Sequence, residues 1–441
     1  MKVSVIIQGE GKGHFSQAME AIQLLRAQGD EITGCYLGRS LFRPMPAYFR
    51  EASPLPLKTF LSPNFLRTPD RKGVHIFLSL LLNMLLMPVY LFEVARLGTM
   101  LHRDGSEHVM NFYDPVGALA GKWMKRGSRK TVISHHFYLS HPDFIHPHGM
   151  ERAFFWLQLM NAIMMRQADQ VYALSFRAGA AHGRIRVVPP LVAGELRNVH
   201  DQETAGISAP DGRDPGAEDR ENTAQERENT AQDQENTAQD QENTAQDQEN
   251  TAKDRENTAQ ERGQTEQGPD HMARGRDHKE QDRSHINQDR EQIAQGRDPD
   301  LCYFLNPGFA EEMVDYYRSR PGLEADFFTE APLQLQPPVN VRIHRPDRQK
   351  FLSAMQHAGR IICTAGFDTV AEAFCLGIPV FVIPSENHYE QYCNALDAGR
   401  TGMAYHLDSL AELDEAVFEP RGNVKFKKWL ETGHEGIFQR S

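Results

Sequence analysis

The sequence predicts an α/β protein of two Rossmann-like, doubly wound halves with a low-complexity insert between them. Three observations carry this. Near the start, the apolar run Val3–Gln8 passes through the glycine turn Gly9–Gly13 into an amphipathic helix. Near the end, Ile361–Cys363, the turn Ala365-Gly366, a helix and the apolar run Pro379–Ile383 form a second βαβ unit. Between these units no aromatic residue occurs from Phe176 to Tyr303. A chain of 441 residues has room for two or three domains.

Taken in order, the first helix carries Ala18, Ala21, Ile22 and Leu25 at helical spacing, and Gly29 ends it before the strand Glu31–Leu37. Ile76–Ala95 is the most apolar stretch and would just span a bilayer. Asn83, Pro88 and Glu93, and its place between two strands of one domain, point to a buried or domain-face helix; a helix lying on a membrane surface is the alternative. His108–Tyr113 reads as a strand closed by Asp114-Pro115, Thr131–Phe137 as a strand ending in His135-His136, and Arg152–Gln167 as an apolar helix. Gln170–Leu174 and Arg184–Pro189 complete this half, residues 1–194.

From residue 195 to 299 the composition collapses. Six tandem heptapeptides of the type ENTAQDQ run from Glu221 to Arg262 with 12 acidic and 4 basic residues, so this run holds −8 of the chain's net −12. Each unit offers one Ala and no a/d pair, which argues against a coiled coil and for a disordered insert. The rest of the chain is near neutral, which gives no support for a nucleic-acid partner. Five cysteines without CxxC spacing, and Met1-Lys2-Val3 leading straight into a strand, suit reduced thiols and a cytoplasmic location.

Folding resumes at Leu301–Leu305, and the second half is expected over 300–418, with a terminal helix and tail at 419–441. Asn306-Pro307-Gly308 turns into the helix Phe309–Arg318, and Asp347–Gln356 is a helix leading into Ile361. The turn Thr364–Thr369 lies at a strand's carboxyl end and a helix start, where free N–H groups favour a phosphate. Asp368 or Thr369 can cap that helix, and Glu372 stands one turn in, where a carboxylate can accept from two ribose hydroxyls.

Gly366 and Thr369, Glu372, Gly377-x-Pro379, Gln391-x-x-Asn394-Ala395 and Gly402 together resemble the donor-binding motif of GT-B glycosyltransferases. The nearest likeness is to the bacterial peptidoglycan N-acetylglucosaminyltransferase group and its family 28 type of C-terminal domain. Gly9, Gly11, Gly13 and His14 before an Ala-rich helix are similar to the acceptor-side loop of the same enzymes. The resemblance implies that the two halves face each other across a cleft, that Glu372 holds the donor ribose, that Glu390 and Gln391 hold the donor sugar, and that the tail packs back on the first half. It further implies a UDP-type donor, an inverting transfer of a hexose, and an acceptor that is a glycan, a lipid-linked sugar or a small molecule.

On this reading the loops Asn306–Gly308 and Thr364–Thr369 face the leaving diphosphate, so neither a metal nor a cofactor beyond the nucleotide sugar itself is expected. The sole Asp-x-Asp, Asp298-Pro299-Asp300, lies at the edge of the insert. His14 is the candidate base, with packing of the loop as the alternative. Asp114 is the candidate to orient it, and His135-His136 offers acceptor contact or simple packing. A dinucleotide loop at Gly9–Gly13 lacks its third glycine, Ser16 standing there. The rival functions are a nucleotide-sugar 2-epimerase of the same fold, a non-catalytic sugar-nucleotide binder, and an interaction protein built around the repeats. Residues 67–72 (RTPDRK) beside the apolar stretch would give a peripheral membrane contact a basic edge.

Overall fold

The structure, a computed structural model, describes residues 1–9, 12–41, 45, 49–50, 53–64, 66, 68, 75–124, 126–197, 298–304, 307–330, 336–421 and 423–438. The expected insert falls almost wholly outside these residues, as do Gly11, Asn306 and most of segment 67–72.

The first half runs β1 (Lys2–Gln8), α1 (Lys12–Ala27), β2 (Glu31–Arg39), β3 (Leu57–Leu61), α2 (Ile76–Leu85), α3 (Met87–Arg103), β4 (His108–Phe112), α4 (Pro115–Ala120), β5 (Arg129–Ser134), α5 (Glu151–Gln167), β6 (Gln170–Leu174), β7 (Ile185–Val188) and the short α6 (Gly194–Arg197). Its seven strands are parallel in the order β3-β2-β1-β4-β5-β6-β7. Strands covered on both faces need near-continuous apolar runs, and Val3, Val5, Ile6 and Ile7 are fully buried. Ile6 pairs with Tyr36 on one side and Asn111 on the other.

The second half runs β8 (Asp300–Tyr303), α7 (Ala310–Arg318), β9 (Ala325–Phe328), β10 (Val341–His344), α8 (Arg348–Gln356), β11 (Arg360–Cys363), α9 (Phe367–Leu376), β12 (Val380–Val382), α10 (Tyr389–Arg400) and β13 (Tyr405–His406). Its described strands are also parallel, in the order β10-β9-β8-β11-β12-β13. In both sheets the chain winds outward from a central strand, then returns to its other side. The crevice at such a switch point opens at the strands' carboxyl ends, between β1 and β4 and between β8 and β11. Gly9, His14 and Asp114 follow the first pair, and Gly308 and Gly366 the second.

Three local expectations change. The apolar stretch is two helices bent by 63°, because Pro88 opens α3 at its first turn and Leu86 ends α2. Only α3 packs inward, through Tyr90, Val94, Leu97 and Leu101. On α2, Phe77, Leu81, Met84 and Leu85 are exposed. Among the described residues no single helix is long and apolar enough to cross a membrane. Neither Asp368 nor Thr369 caps α9: Gly366 is its N-cap residue, without a side-chain bond, and Gly377 ends it at φ 74°, a left-handed turn that suits glycine. Asp300 does not sit at the edge of the insert but opens β8 buried, doubly bonded by Arg360 at 2.8 Å and by the Tyr317 hydroxyl at 2.7 Å.

The tail forms α11 (Asn423–Gly433) and α12 (Glu435–Phe438) and touches both halves. Phe426 meets Phe374 of α9 edge-on at 5.3 Å, and His434 Nε2 lies 3.0 Å from the Pro190 carbonyl. Gly433 packs against Pro189 so closely that a Cβ there would stand 2.4 Å from the proline ring.

Candidate functional site

The two switch points meet where α1 packs on α9. Gly9 lets β1 and β2 end side by side; a Cβ on it would stand 2.0 Å from the Gly38 carbonyl oxygen. Gly13, in the first turn of α1, lies against the Asp368 carboxylate of the other half. Gln17 Nε2, one turn on, donates to Asp368 Oδ1 at 2.5 Å. Lys12 pairs with Glu330 at 2.8 Å. The other Asp368 oxygen is buried without a hydrogen-bond partner, and burial beside Glu372 pushes this carboxyl up to about 8.

His14 stands one residue beyond Gly13, where α1 turns it toward β4 and β5. Its ring lies 5.7 Å from that of Tyr113 and 5.5 Å from that of His136. Burial, then the neighbouring His136, lowers its pKa to about 4; Glu390 opposes this and His135 adds to it. His14 is therefore a neutral imidazole near pH 7, and its Nδ1 has no hydrogen-bond partner. A neutral imidazole keeps a lone pair on one of its two ring nitrogens, and that nitrogen can take a proton.

Asp114 does not orient His14. It is wholly buried and caps α4, accepting from the Gly117 N–H at 2.7 Å, with its second oxygen against Gly38 and Ser62. An Asp before Pro is an N-cap signal in its own right, which is the bland reading of this dipeptide. The groups that do surround His14 are Tyr113 and His136. Tyr113 sits at φ 60°, a strained conformation for a non-glycine residue, and its ring stacks on His136 at 4.0 Å. Its hydroxyl donates to Asn161 Oδ1 at 2.7 Å, and Asn161 Nδ2 donates to the His136 carbonyl at 2.7 Å.

From the second half, Glu390 is the second residue of α10, and its Oε2 lies 3.1 Å from His136 Nε2. Burial would raise the Glu390 carboxyl, but the charge of His136 and its hydrogen bond, with His388 and His14, hold it well below the usual carboxylate range. Gln391 lies beside it, its Oε1 accepting from the Ser385 N–H at 2.7 Å. His135 Nδ1 donates to the Leu174 carbonyl at 2.8 Å and its ring stacks on Phe367 at 4.1 Å.

Gly366 and Thr369 lie at the N-terminal turn of α9, and Gly308 in the 3-10 turn before α7. Glu372 is buried, and both of its oxygens already accept from the Arg348 guanidinium, through Nη1 at 2.9 Å and through Nη2. The expectation of an open ribose-binding carboxylate is revised accordingly: Arg348 covers it. Nothing in the sequence pairs Arg348 with Glu372, 24 residues apart, whereas Asp347 as the N-cap of α8 is readable, its Oδ1 accepting from the Lys350 N–H at 3.0 Å. Tyr113, Asn161 and Asp368 as a site member were likewise missed, since each reaches the site only through tertiary packing. Among the described residues no three His, Cys, Asp or Glu side chains are grouped to hold a metal ion.

Residues 334–420 match a family model described as glycosyl transferase family 1. No curated protein matches the sequence. Among solved structures, the spinosyn rhamnosyltransferase SpnG is similar at TM-score 0.51 and 12% identity, over 98% of this chain and 97% of that chain. SpnG complexed with spinosyn aglycone gives 0.50 and 12% over the same shares. MurG of Acinetobacter baumannii gives 0.48 and 11%, over 99% of this chain and 98% of that one. At such identities the likeness to SpnG establishes architecture. The chain has the GT-B fold of these glycosyltransferases, and its segment 334–420 is the part that matches glycosyl transferase family 1.

Proposed function

We propose that this chain is a glycosyltransferase that moves a hexose-type sugar from a nucleotide donor, UDP being the first choice, to a hydroxyl acceptor with inversion. The carrying observation is the meeting of His14 and Glu390 through His136 at the contact between the two halves. The segment that matches the family, 334–420, supplies Glu390, and the first half supplies the candidate base. The donor belongs with the second half: diphosphate at the N-terminal turn of α9, near Gly366 and Thr369, ribose at Glu372, sugar at Glu390 and Gln391. Each Glu372 oxygen keeps a second lone pair, and a ribose hydroxyl reaches it once the Arg348 side chain swings aside. The acceptor hydroxyl approaches His14, which takes its proton as the oxygen attacks the anomeric carbon from the face opposite the leaving diphosphate. Backbone N–H groups at the start of α9 stabilise the growing negative charge, so the reading needs no metal.

SpnG, whose structures include one with an aglycone and one with thymidine diphosphate, offers a precedent for a nucleotide-dependent transfer to a small molecule. The exposed apolar side chains of α2 support a lipid-linked acceptor and a peripheral place at the cytoplasmic face of a membrane. A panel of nucleotide sugars assayed by thermal shift, followed by NMR of the product's anomeric configuration, tests the proposal. Stabilisation by a UDP sugar and an inverted product support it. Stabilisation by no nucleotide sugar, or a 2-epimerised sugar nucleotide formed without acceptor, overturns it.

A further inference from the structure

His136 has a bond or ring contact to Tyr113, Asn161, Glu390 and the candidate base itself, and it comes from a turn that the sequence leaves ambiguous. Its backbone N–H donates to Ser134 Oγ at 3.1 Å, and its Nδ1 lies 2.9 Å from the same hydroxyl. Asn161 holds its carbonyl, Tyr113 stacks on its face, and Nε2 faces Glu390. Both ring nitrogens are thus engaged and the ring plane is fixed by stacking, so the imidazole has one orientation. The His14 ring abuts this fixed unit.

We propose that His136 is a positioning residue for the transfer: it ties the donor-side Glu390 to the acceptor-side His14, so that the base is complete only where the two halves meet. This rests on the glycosyltransferase reading above. The contact has a directional consequence. The groups facing His14 are Tyr113 beyond β4, His135 and His136 beyond β5, and Glu390 on α10, with Asp368 on α9 beside Gly13 and Lys12 held by Glu330 at the start of α1. Of these, His136 disfavours a protonated His14 and Glu390 favours it. A base must be unprotonated to act, so activity falls as pH drops through the His14 pKa. Replacing His136 by Gln removes the neighbour that disfavours a protonated His14 and takes away the ring that faces the Glu390 carboxylate. Both effects raise the His14 pKa and move the acid limb of kcat toward higher pH.

The test follows the histidine Cε1–H resonances of the full-length protein by NMR across a pH titration, and kcat and donor KM over the same range. Expected for His136→Gln are a His14 titration displaced upward by about one unit, a kcat down by roughly threefold to fivefold at about pH 4–4.5 with little change near neutrality, and a smaller change in donor KM. Glu390→Gln, at a site with 29% side-chain exposure, is the second variant and guards against a misfolded first. In it the His14 resonance at neutral pH moves from its wild-type position. A His14 titration and resonance unchanged in both variants overturn the proposal. Because the titration needs no substrate, it judges the positioning role even where no nucleotide sugar turns over, an outcome that would sink the transferase reading separately. Turnover in the wild type with an unmoved pH profile in His136→Gln sinks the positioning role alone.

Discussion

Replacing Glu372 separates two roles that the sequence merges. Read as an open ribose ligand, it should be removable with little cost to folding. In the structure it is a buried carboxylate whose oxygens both accept from Arg348, whose side chain is 31% exposed. Two charge-assisted hydrogen bonds contribute about 1.5–3 kcal/mol each. Breaking a buried pair by removing one partner costs about 3–5 kcal/mol, and the exposure of Arg348 reduces that through solvent screening. Glu372→Ala should therefore lose roughly 2–4 kcal/mol of stability. Arg348→Met, which strands the carboxylate, should lose a comparable amount, and the double variant clearly less than the sum. Urea unfolding of the wild type and three variants closes the cycle, and calorimetry with the donor gives affinity separately. Coupling near zero, with each single variant as stable as the wild type, would refute the pairing. Donor affinity that survives Glu372→Gln unchanged would remove the ribose role.

Four further outcomes are expected. His14→Ala should lower kcat by roughly 10²–10⁴ and barely move donor affinity, measured by steady-state kinetics and calorimetry; full turnover would make His14 a packing residue. Asp114→Ala should cost at least about 1 kcal/mol through loss of the α4 cap, while Asn at the same place keeps the acceptor. Burial, opposed by bonds from Ser62, Gly117 and Val116, raises the Asp114 carboxyl to about 7, so the folded protein takes up a proton that the unfolded chain has already lost. That part of the stability is full below about pH 4 and falls as pH rises to about 7; Asp114→Asn should flatten the decline in a urea series, and an unaltered slope would contradict it. Liposome flotation should show binding to anionic vesicles that weakens with salt, and replacing Phe77, Met84 and Leu85 by Ser should abolish it; no binding to any vesicle at low salt favours a soluble acceptor.

The fold was legible because its signals are local. Val3–Gln8 and Ile361–Cys363 are buried on both faces and are apolar apart from Ser4 and Gln8. Glycines at strand ends mark the turns, and the helical spacing of Ala18, Ile22 and Leu25 is core packing. The site was legible only in part. Glu390 and His14 stand in recognisable local patterns and are brought near each other, with His136 between them. The partners that set their chemistry are joined by tertiary contact: His136 lies 254 residues from Glu390, and Arg348 answers Glu372 from another helix. Asp114 misled because a strand-end carboxylate looks the same whether it caps a helix or serves a catalytic histidine. The break at Leu86 is hidden because apolar content measures length of hydrophobicity, not the direction of the axis; Pro88, in the first turn of α3, is its one local signal.

The returning tail has a consequence for how the cleft can move. The backbone leaves the first half near Arg197 and comes back at α11 and α12, where Gly433 and His434 seat on Pro189 and Pro190. Two bodies joined at a single point swing freely about it. Joined at two, they keep one easy degree of freedom, rotation about the line through both attachments. His136 and Glu390 come one from each half, so such a rotation would strain or part their contact. The terminal residues that touch no proposed reactant would then set the path along which the reactants are brought together.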